Sequence, residues 1–287
     1  MTLLHRPVHG LVVVELVAAM LVGTAAGAAE RWLVPNPDGQ VLTLLLLGSD
    51  DGPPRNGQLT NARADGFQLL FVSANRHHAS FVSIPRDSWV AVPGRGTTRI
   101  NACLNNGPEN CVATAEALFN LDIDGYLLTS MRGFIRGVLD YGDIEVEVPR
   151  SLSVGFTSVA PGLQQLDGKE ALVYARDRKN RPDGDYGRSQ AQAELLALAH
   201  RQSIAQGDTA AVLHALSVVR RHTVTDIPPA QMATWAFQAR QLPPENVQRR
   251  LASSRVGSAG AASVSFLNTE AFDLVRDAAD DGRIGNG

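Results

Sequence analysis

The chain has 287 residues, 44% hydrophobic and 19% charged, which is enough to bury a full core and too apolar for a disordered tail. A formal net charge of -3 supplies no global basic field of the kind that draws a protein onto nucleic acid, so any anion site must be local. Two cysteines, Cys103 and Cys111, are too few for a disulfide scaffold or a zinc ribbon.

From Leu11 to Ala29 the sequence is nearly continuous in Leu, Val, Ala and Gly, about the length that spans a bilayer. Arg6 precedes the run, while Glu30 and Arg31 cancel behind it, so residues 1–10 are expected inside the cell and 11–29 as one transmembrane helix. The small residues Ala25-Ala26-Gly27-Ala28-Ala29 also resemble a signal-peptide cleavage region, the rival reading of the same segment. Either way the domain is exported. An oxidising compartment then favours a Cys103–Cys111 disulfide over two buried thiols. Residues 30–40 read as a linker, 41–279 as one domain and 280–287 as a frayed tail.

Within the domain, Val41 to Leu47 is a continuous apolar run, predicted as a strand buried on both faces. Its carboxyl end carries the polar loop Gly48-Ser49-Asp50-Asp51, the position where open α/β sheets bind ligands. Arg63 and Asp65 alternate, so an extended segment would put them on one side. Gly66 to Ser73 and Ala79 to Ser83 read as a hairpin around Asn75-Arg76-His77, with His77 and His78 as solvated turn residues. Arg95 to Asn101 reads as a Gly- and Thr-containing loop. Cys111 to Phe119 has amphipathic helical spacing, and Tyr126 to Thr129 reads as a strand. Phe134, Ile135, Val138 and Leu139 share a helical face, and Ile144, Val146 and Val148 alternate as a strand. Further helices are expected over Leu195–Ile204, Ala210–Arg221, Pro229–Gln241 and Glu270–Ala278, with a late strand at Val264–Leu267. Strands and helices therefore interleave. The predicted fold is α/β, a three-layer α/β/α arrangement with a mixed central sheet, preceded by the membrane helix.

The stretch Val173 to Gln192 looks like a site. Arg176 and Arg178 alternate, so an extended backbone would point them the same way, and Arg188 and Gln192 are four apart, so a helix would give them one face. Guanidinium forks match phosphate oxygens bidentately, and a helix opened by Asp185, Tyr186 and Gly187 adds unpaired backbone N–H groups. The natural guest is a phosphate or pyrophosphate, and the bland alternative is a charged surface loop with ordinary ion pairs.

Taken together, Gly48-Ser49-Asp50, Arg63-Ala64-Asp65, Val82-Ser83-Ile84-Pro85-Arg86-Asp87, Arg99-Ile100-Asn101, Tyr174-Ala175-Arg176-Asp177-Arg178 and Asp185-Tyr186-Gly187-Arg188 resemble, in that order, the motifs of the LytR-CpsA-Psr family. The resemblance covers roughly Leu44 to Arg201. It implies a domain outside the bacterial membrane that holds a polyprenyl pyrophosphate by its head group, with the tail in an apolar tunnel, and transfers a glycopolymer from that carrier to peptidoglycan. By the same resemblance, Arg63, Arg86, Arg99, Arg176, Arg178, Arg188 and Gln192 hold the pyrophosphate. Asp50 and Asp65 lie near a magnesium ion, and Asp65, Arg86, Arg176 and Arg178 are catalytic. Arg99 stands where many members have lysine, presenting a planar fork in place of a compact ammonium. Gly66 stands where a hydroxyl residue is common, and Asp51 competes with Asp50 as the metal's partner.

The residue types suit this chemistry without the family. Attack on phosphorus adds charge to the equatorial oxygens, which arginines and a divalent cation stabilise. Magnesium takes carboxylate and phosphate oxygens. Asp65 or Asp87 could accept the proton of the attacking hydroxyl. Water as acceptor would make the same site a lipid pyrophosphatase, and a site without a metal would make it a binder or sensor of the carrier.

Overall fold

The computed structural model describes residues 39–50, 62–178, 180, 185–206 and 209–285. The expected membrane segment 11–29, the linker up to residue 38 and Asp51 lie outside the described residues. Among those described, no helix is long and apolar enough to cross a membrane.

The central strand β1 (Leu42–Ser49) is buried almost throughout, as its run of leucines requires. It pairs antiparallel with β2 (Ala64–Val72), which turns through Arg76 into antiparallel β3 (Ala79–Ser83). Arg76 adopts a φ of 60° and is buried, donating from Nε to Gln238 Oε1 at 3.0 Å. The segment read as a loop around Arg95 is instead a hairpin, β4 (Trp89–Val92) with β5 (Gly96–Arg99), closed by Gly94 and Gly96 at positive φ. A 3₁₀ turn, Ile100–Asn106, leads into α1 (Pro108–Phe119). Cys103 on that turn and Cys111 on α1 are disulfide-bonded and fully buried.

β6 (Gly125–Ser130) then enters parallel to β1, followed by α2 (Met131–Tyr141). Next come β7 (Ile144–Val148), the hairpin of β8 (Leu152–Val154) and β9 (Thr157–Val159), and β10 (Gly162–Leu166), which returns antiparallel to β7. Helices α3 (Gly168–Arg176), α4 (Asp185–Gln206) and α5 (Thr209–His222) precede the short β11 (Val224–Thr225) and α6 (Pro229–Gln238). The chain closes with β12 (Val247–Leu251), the hairpin of β13 (Ser254–Ala259) and β14 (Ala262–Leu267), and α7 (Thr269–Asp281).

The six-stranded mixed sheet has the order β11-β6-β1-β2-β3-β12. Alternation along β1 divides its leucines between two cores. Leu45 and Leu47 pack with Ala115 of α1 and Val275 of α7, whereas Leu42 and Leu44 pack with Leu216 of α5 and Met232 of α6. Helices therefore cover both faces, and each fully buried leucine contributes roughly 1.5–3 kcal/mol. A third core joins α2, the β7–β10 ribbon, α3 and the start of α4. Of the expected tail 280–287, the described part is docked, not frayed: Ile284 is buried, and Gln248 donates to its carbonyl at 2.9 Å.

Candidate active site

The parallel strands β1 and β6 end side by side, Ser49 opposite Ser130, and a cavity of about 380 Å³ opens beneath them. Its body is apolar, formed by Leu46 and Leu70 of the sheet, Leu127, Phe134, Leu195 and Val219. Its polar end is formed by Asp65, Arg176, Arg188 and Gln192. One space thus offers a hydrocarbon lining and a cationic end.

Asp65 owes its position to an irregularity in the sheet. Gly48 pairs with Gly66 while Ser49 pairs with Ala64, so Asp65 is an extra residue bulged out of β2. Bulges re-aim side chains beside sites. The simple alternation expected for Arg63 and Asp65 is lost here, and the two separate: Asp65 lines the apolar cavity, while Arg63 lines another. The Asp65 carboxylate contacts Arg86 Nη1 through Oδ1 and lies 3.7 Å from Arg188 Nη1 through Oδ2. Arg86 Nε is 3.7 Å from Asp87, whose other oxygen is 3.5 Å from Arg99 Nε. The result is a ladder of alternating charge, Arg188, Asp65, Arg86, Asp87, Arg99.

Arg188 is 1% exposed, and α4 delivers it. Gln68, buried in β2, accepts from Ser83 Oγ at 2.6 Å and donates to the carbonyl of Ser189 at 3.1 Å, locking the first turns of α4 to the sheet. The expected shared face is present, since Arg188 and Gln192 both line the cavity. Gln192 donates to the Ala175 carbonyl at 3.3 Å, tying α4 to α3. Gly66 lets it do so, because a Cβ there would sit 3.0 Å from Gln192 Oε1.

Arg176 and Arg178 do not share an extended segment. Arg176 is the last residue of α3, a helix started by a capping box of Asp167 and Glu170, and it lines the cavity, whereas Arg178 is exposed and lines neither cavity. Between them Asp177 is buried, accepting from Ser153 N at 2.8 Å and from Asn180 N at 3.0 Å. Sequence reasoning gave Asp177 no role. Its signal was an aspartate flanked on both sides by arginine.

Arg99 and Arg63 line a second cavity, of about 250 Å³, together with Trp89, Arg95, Asn101 and Asn105. Asp50 follows Ser49 and accepts from Arg63 N at 2.7 Å, and Asp65 stands near it on the neighbouring strand. Among the described residues no group of three or more His, Cys, Asp or Glu side chains gathers around one point.

The family model described as LytR_cpsA_psr matches residues 24–278. The chain belongs to the LytR-CpsA-Psr family. Among curated proteins, the chain is 32% identical over 193 residues to the polyisoprenyl-teichoic acid–peptidoglycan teichoic acid transferase TagU of Oceanobacillus iheyensis, covering 65% of this chain and 59% of that one. It is 29% identical over 206 residues to biofilm regulatory protein A of Streptococcus mutans, covering 66% and 51%. The chain thus spans between half and three-fifths of the length of these two relatives. Among solved structures, TagV of B. subtilis superposes with a TM-score of 0.72 at 21% identity, covering 84% of this chain and 96% of that one. TagT bound to LIIa-WTA superposes with a TM-score of 0.69 at 21% identity, covering 85% and 91%. These superpositions show that the LytR-CpsA-Psr chain described here shares their fold.

Proposed function

We propose that the protein transfers a glycopolymer from a polyprenyl pyrophosphate carrier to a hydroxyl of peptidoglycan, forming a phosphodiester. The observation that carries this reading is a cavity with an apolar body and a polar end bearing Arg176, Arg188 and Asp65, whose carboxylate also contacts Arg86. A prenyl chain fits the first part and a pyrophosphate the second. The names of the TagU relative and of the TagT complex support the same class of substrate.

In this reading Arg176 and Arg188 bind the pyrophosphate oxygens and hold the phosphorus nearest the sugar for in-line attack. The acceptor O–H forms a new O–P bond as the bridging P–O bond breaks, and prenyl monophosphate leaves with its electron pair. Asp65 takes the hydroxyl proton, or Asp87 does from the next rung of the ladder. Arg86 lies between the two carboxylates and steadies charge on the transferred phosphate. Asp50 and Asp65, carboxylates on neighbouring strand ends, are the residues that would hold magnesium, which takes carboxylate and phosphate oxygens. When bound, that ion would neutralise pyrophosphate charge. Residues 11–29 would anchor the domain at the membrane surface where the carrier resides.

The test is the reconstituted full chain with a prenyl-pyrophosphate-linked glycan labelled at its reducing end, incubated with peptidoglycan in the presence of magnesium. Label recovered covalently on peptidoglycan supports transfer. Label released only as soluble glycan phosphate refutes it in favour of hydrolysis, and label that stays on the lipid refutes catalysis.

A further inference from the structure

Behind the charge ladder runs a second, uncharged set of contacts. Gln68 of β2 and Ser83 of β3 are direct cross-strand partners, and Ser83 Oγ donates to Gln68 Oε1 at 2.6 Å. Gln68 Nε2 donates in turn to the Ser189 carbonyl of α4 at 3.1 Å, and Ser83 Oγ lies 3.3 Å from the same carbonyl. A carbonyl can only accept, which sets the amide with its nitrogen toward α4 and its oxygen toward Ser83. All three residues are buried.

The order of residues relates this bracket to the site. Asp65 stands three residues before Gln68, Arg86 three residues after Ser83, and Arg188 next to Ser189. Each of the three elements that brings a charged group to the polar end therefore also brings a member of the bracket. Gly66, Gln68 and Leu70 alternate along the wall of the apolar cavity, so Gln68 sits where the polar end gives way to the apolar body. An apolar side chain would suit that wall. A buried amide is costly there unless both of its ends are bonded, and both are.

The contact between Asp65 and Arg188 also ties α4 to the sheet, but it is one that an entering phosphate competes for. The bracket is neutral and has no charge to exchange with an anion. We propose that Gln68 is a positioning residue for anion recognition: by bonding Ser83 and Ser189 at once, it holds Arg188 in register with Arg86 so that both guanidinium groups meet one pyrophosphate. The inference rests on the proposed polyprenyl pyrophosphate donor. Bidentate recognition depends on where the forks stand, so a helix turn released from the sheet weakens it with every charge still present.

The experiment is calorimetric titration of the full chain in detergent with two probes, farnesyl pyrophosphate and farnesol, which keeps the tail and lacks the head. The parent should bind the pyrophosphate about tenfold or more tighter than the alcohol. Gln68→Met fills the wall and can bond to neither partner, so it should weaken farnesyl pyrophosphate binding about three- to tenfold, the scale of one lost hydrogen bond, and leave farnesol within about twofold. Ser83→Ala should lose part of the same affinity, and Ser83→Thr, which keeps the hydroxyl, should restore it; this pair carries the test if Gln68→Met does not fold. In an Arg188→Ala background Gln68→Met should weaken binding no further, because its effect passes through Arg188. Val275→Ala, in the core on the other face of the sheet, should lower the melting temperature and leave both affinities within about twofold, which separates positioning from a general loss of stability. Equal losses of farnesyl pyrophosphate and farnesol in Gln68→Met would mean that the residue only shapes the cavity, and would overturn the inference. A full Gln68→Met effect without Arg188 also overturns it. A parent that prefers the pyrophosphate beside a Gln68→Met variant that prefers it as strongly overturns this inference alone, whereas a parent that binds both probes equally overturns the pyrophosphate reading and this inference with it.

Discussion

Asp65→Asn tests the charge arrangement most directly, because it keeps the shape and removes a carboxylate that faces both Arg86 and Arg188. At 3.7 Å and an effective dielectric of 20, the attraction between Asp65 and Arg188 alone is roughly 4 kcal/mol. The Asp65 side chain is 15% exposed and that of Arg188 2%, so desolvation offsets part of the gain, and removing one partner of such a pair costs about 2–4 kcal/mol. For a domain of this size that lowers the melting temperature by roughly 5–15 °C. Farnesyl pyrophosphate should recover much of the loss, because its phosphates supply the missing negative charge to the same guanidinium groups. Without magnesium, the ligand-induced rise in melting temperature should therefore be larger in the variant than in the parent. Transfer should fall by about a hundredfold or more, as expected when a proton acceptor or metal ligand is lost. The assay is thermal unfolding of the full chain in detergent, with and without farnesyl pyrophosphate, beside glycan transfer. A variant that melts with the parent, or that gains no more from the ligand than the parent does, would falsify the charge-exchange reasoning.

Gly168→Ala places a Cβ against the Ile135 carbonyl where α3 crosses α2, so it should cost about 1–3 kcal/mol or more in urea denaturation and, by displacing α3, weaken pyrophosphate binding through Arg176; unchanged stability would show that this close approach is dispensable. Burial holds the His200 imidazole below its ordinary value despite its bond to the Leu242 carbonyl. The unfolded chain therefore takes up the proton first, and the contribution, whole above about pH 6.5, is lost as pH falls from there through the folded value. His200→Gln should flatten the dependence of the urea midpoint between about pH 7.5 and 5 relative to the parent, and parallel curves would refute it. Replacing Cys103 and Cys111 together by serine should lower stability by about 2–3 kcal/mol, the chain-entropy figure for so short a loop, and reduction of the parent should reproduce it.

What could be read in the sequence followed from local pattern. Val41 to Leu47 is apolar on both faces, and it became the central strand; Arg188 and Gln192 are one helical turn apart, and they meet in the cavity. What could not be read depended on partners far along the chain. The bulge that turns Asp65 away from Arg63 exists only because β1 pairs with β2 in that register. The end of α3 at Arg176 is enforced by Asp177 bonding to Ser153, 24 residues earlier, so the alternation of Arg176 and Arg178 misled. Strand β12, with the polar pattern Val-Gln-Arg-Arg-Leu, is a strand only because β3 offers it a parallel edge. The β4–β5 hairpin was the exception. Val90 and Val92 alternate before Pro93 and Gly94, a hairpin signal that was legible and passed over.

The ladder also explains how a cluster of arginines can be built into a partly apolar wall before any ligand arrives. Arg188 is almost wholly buried, where a guanidinium without opposing charge would be costly, and Asp65 faces it at 3.7 Å. The same pairing sets the terms of binding. On the proposed reading, an incoming pyrophosphate competes with Asp65 for the Arg86 and Arg188 forks, which lowers affinity below what the arginines alone would give. It also releases a carboxylate at the moment the phosphorus is in place. Asp65 is then available to a metal ion or to the hydroxyl proton only when substrate is bound. Asp87, shared between Arg86 and Arg99, carries the same logic one rung further, toward the second cavity. An arrangement of arginines without these two carboxylates would bind the anion more tightly and have no group ready to accept the proton.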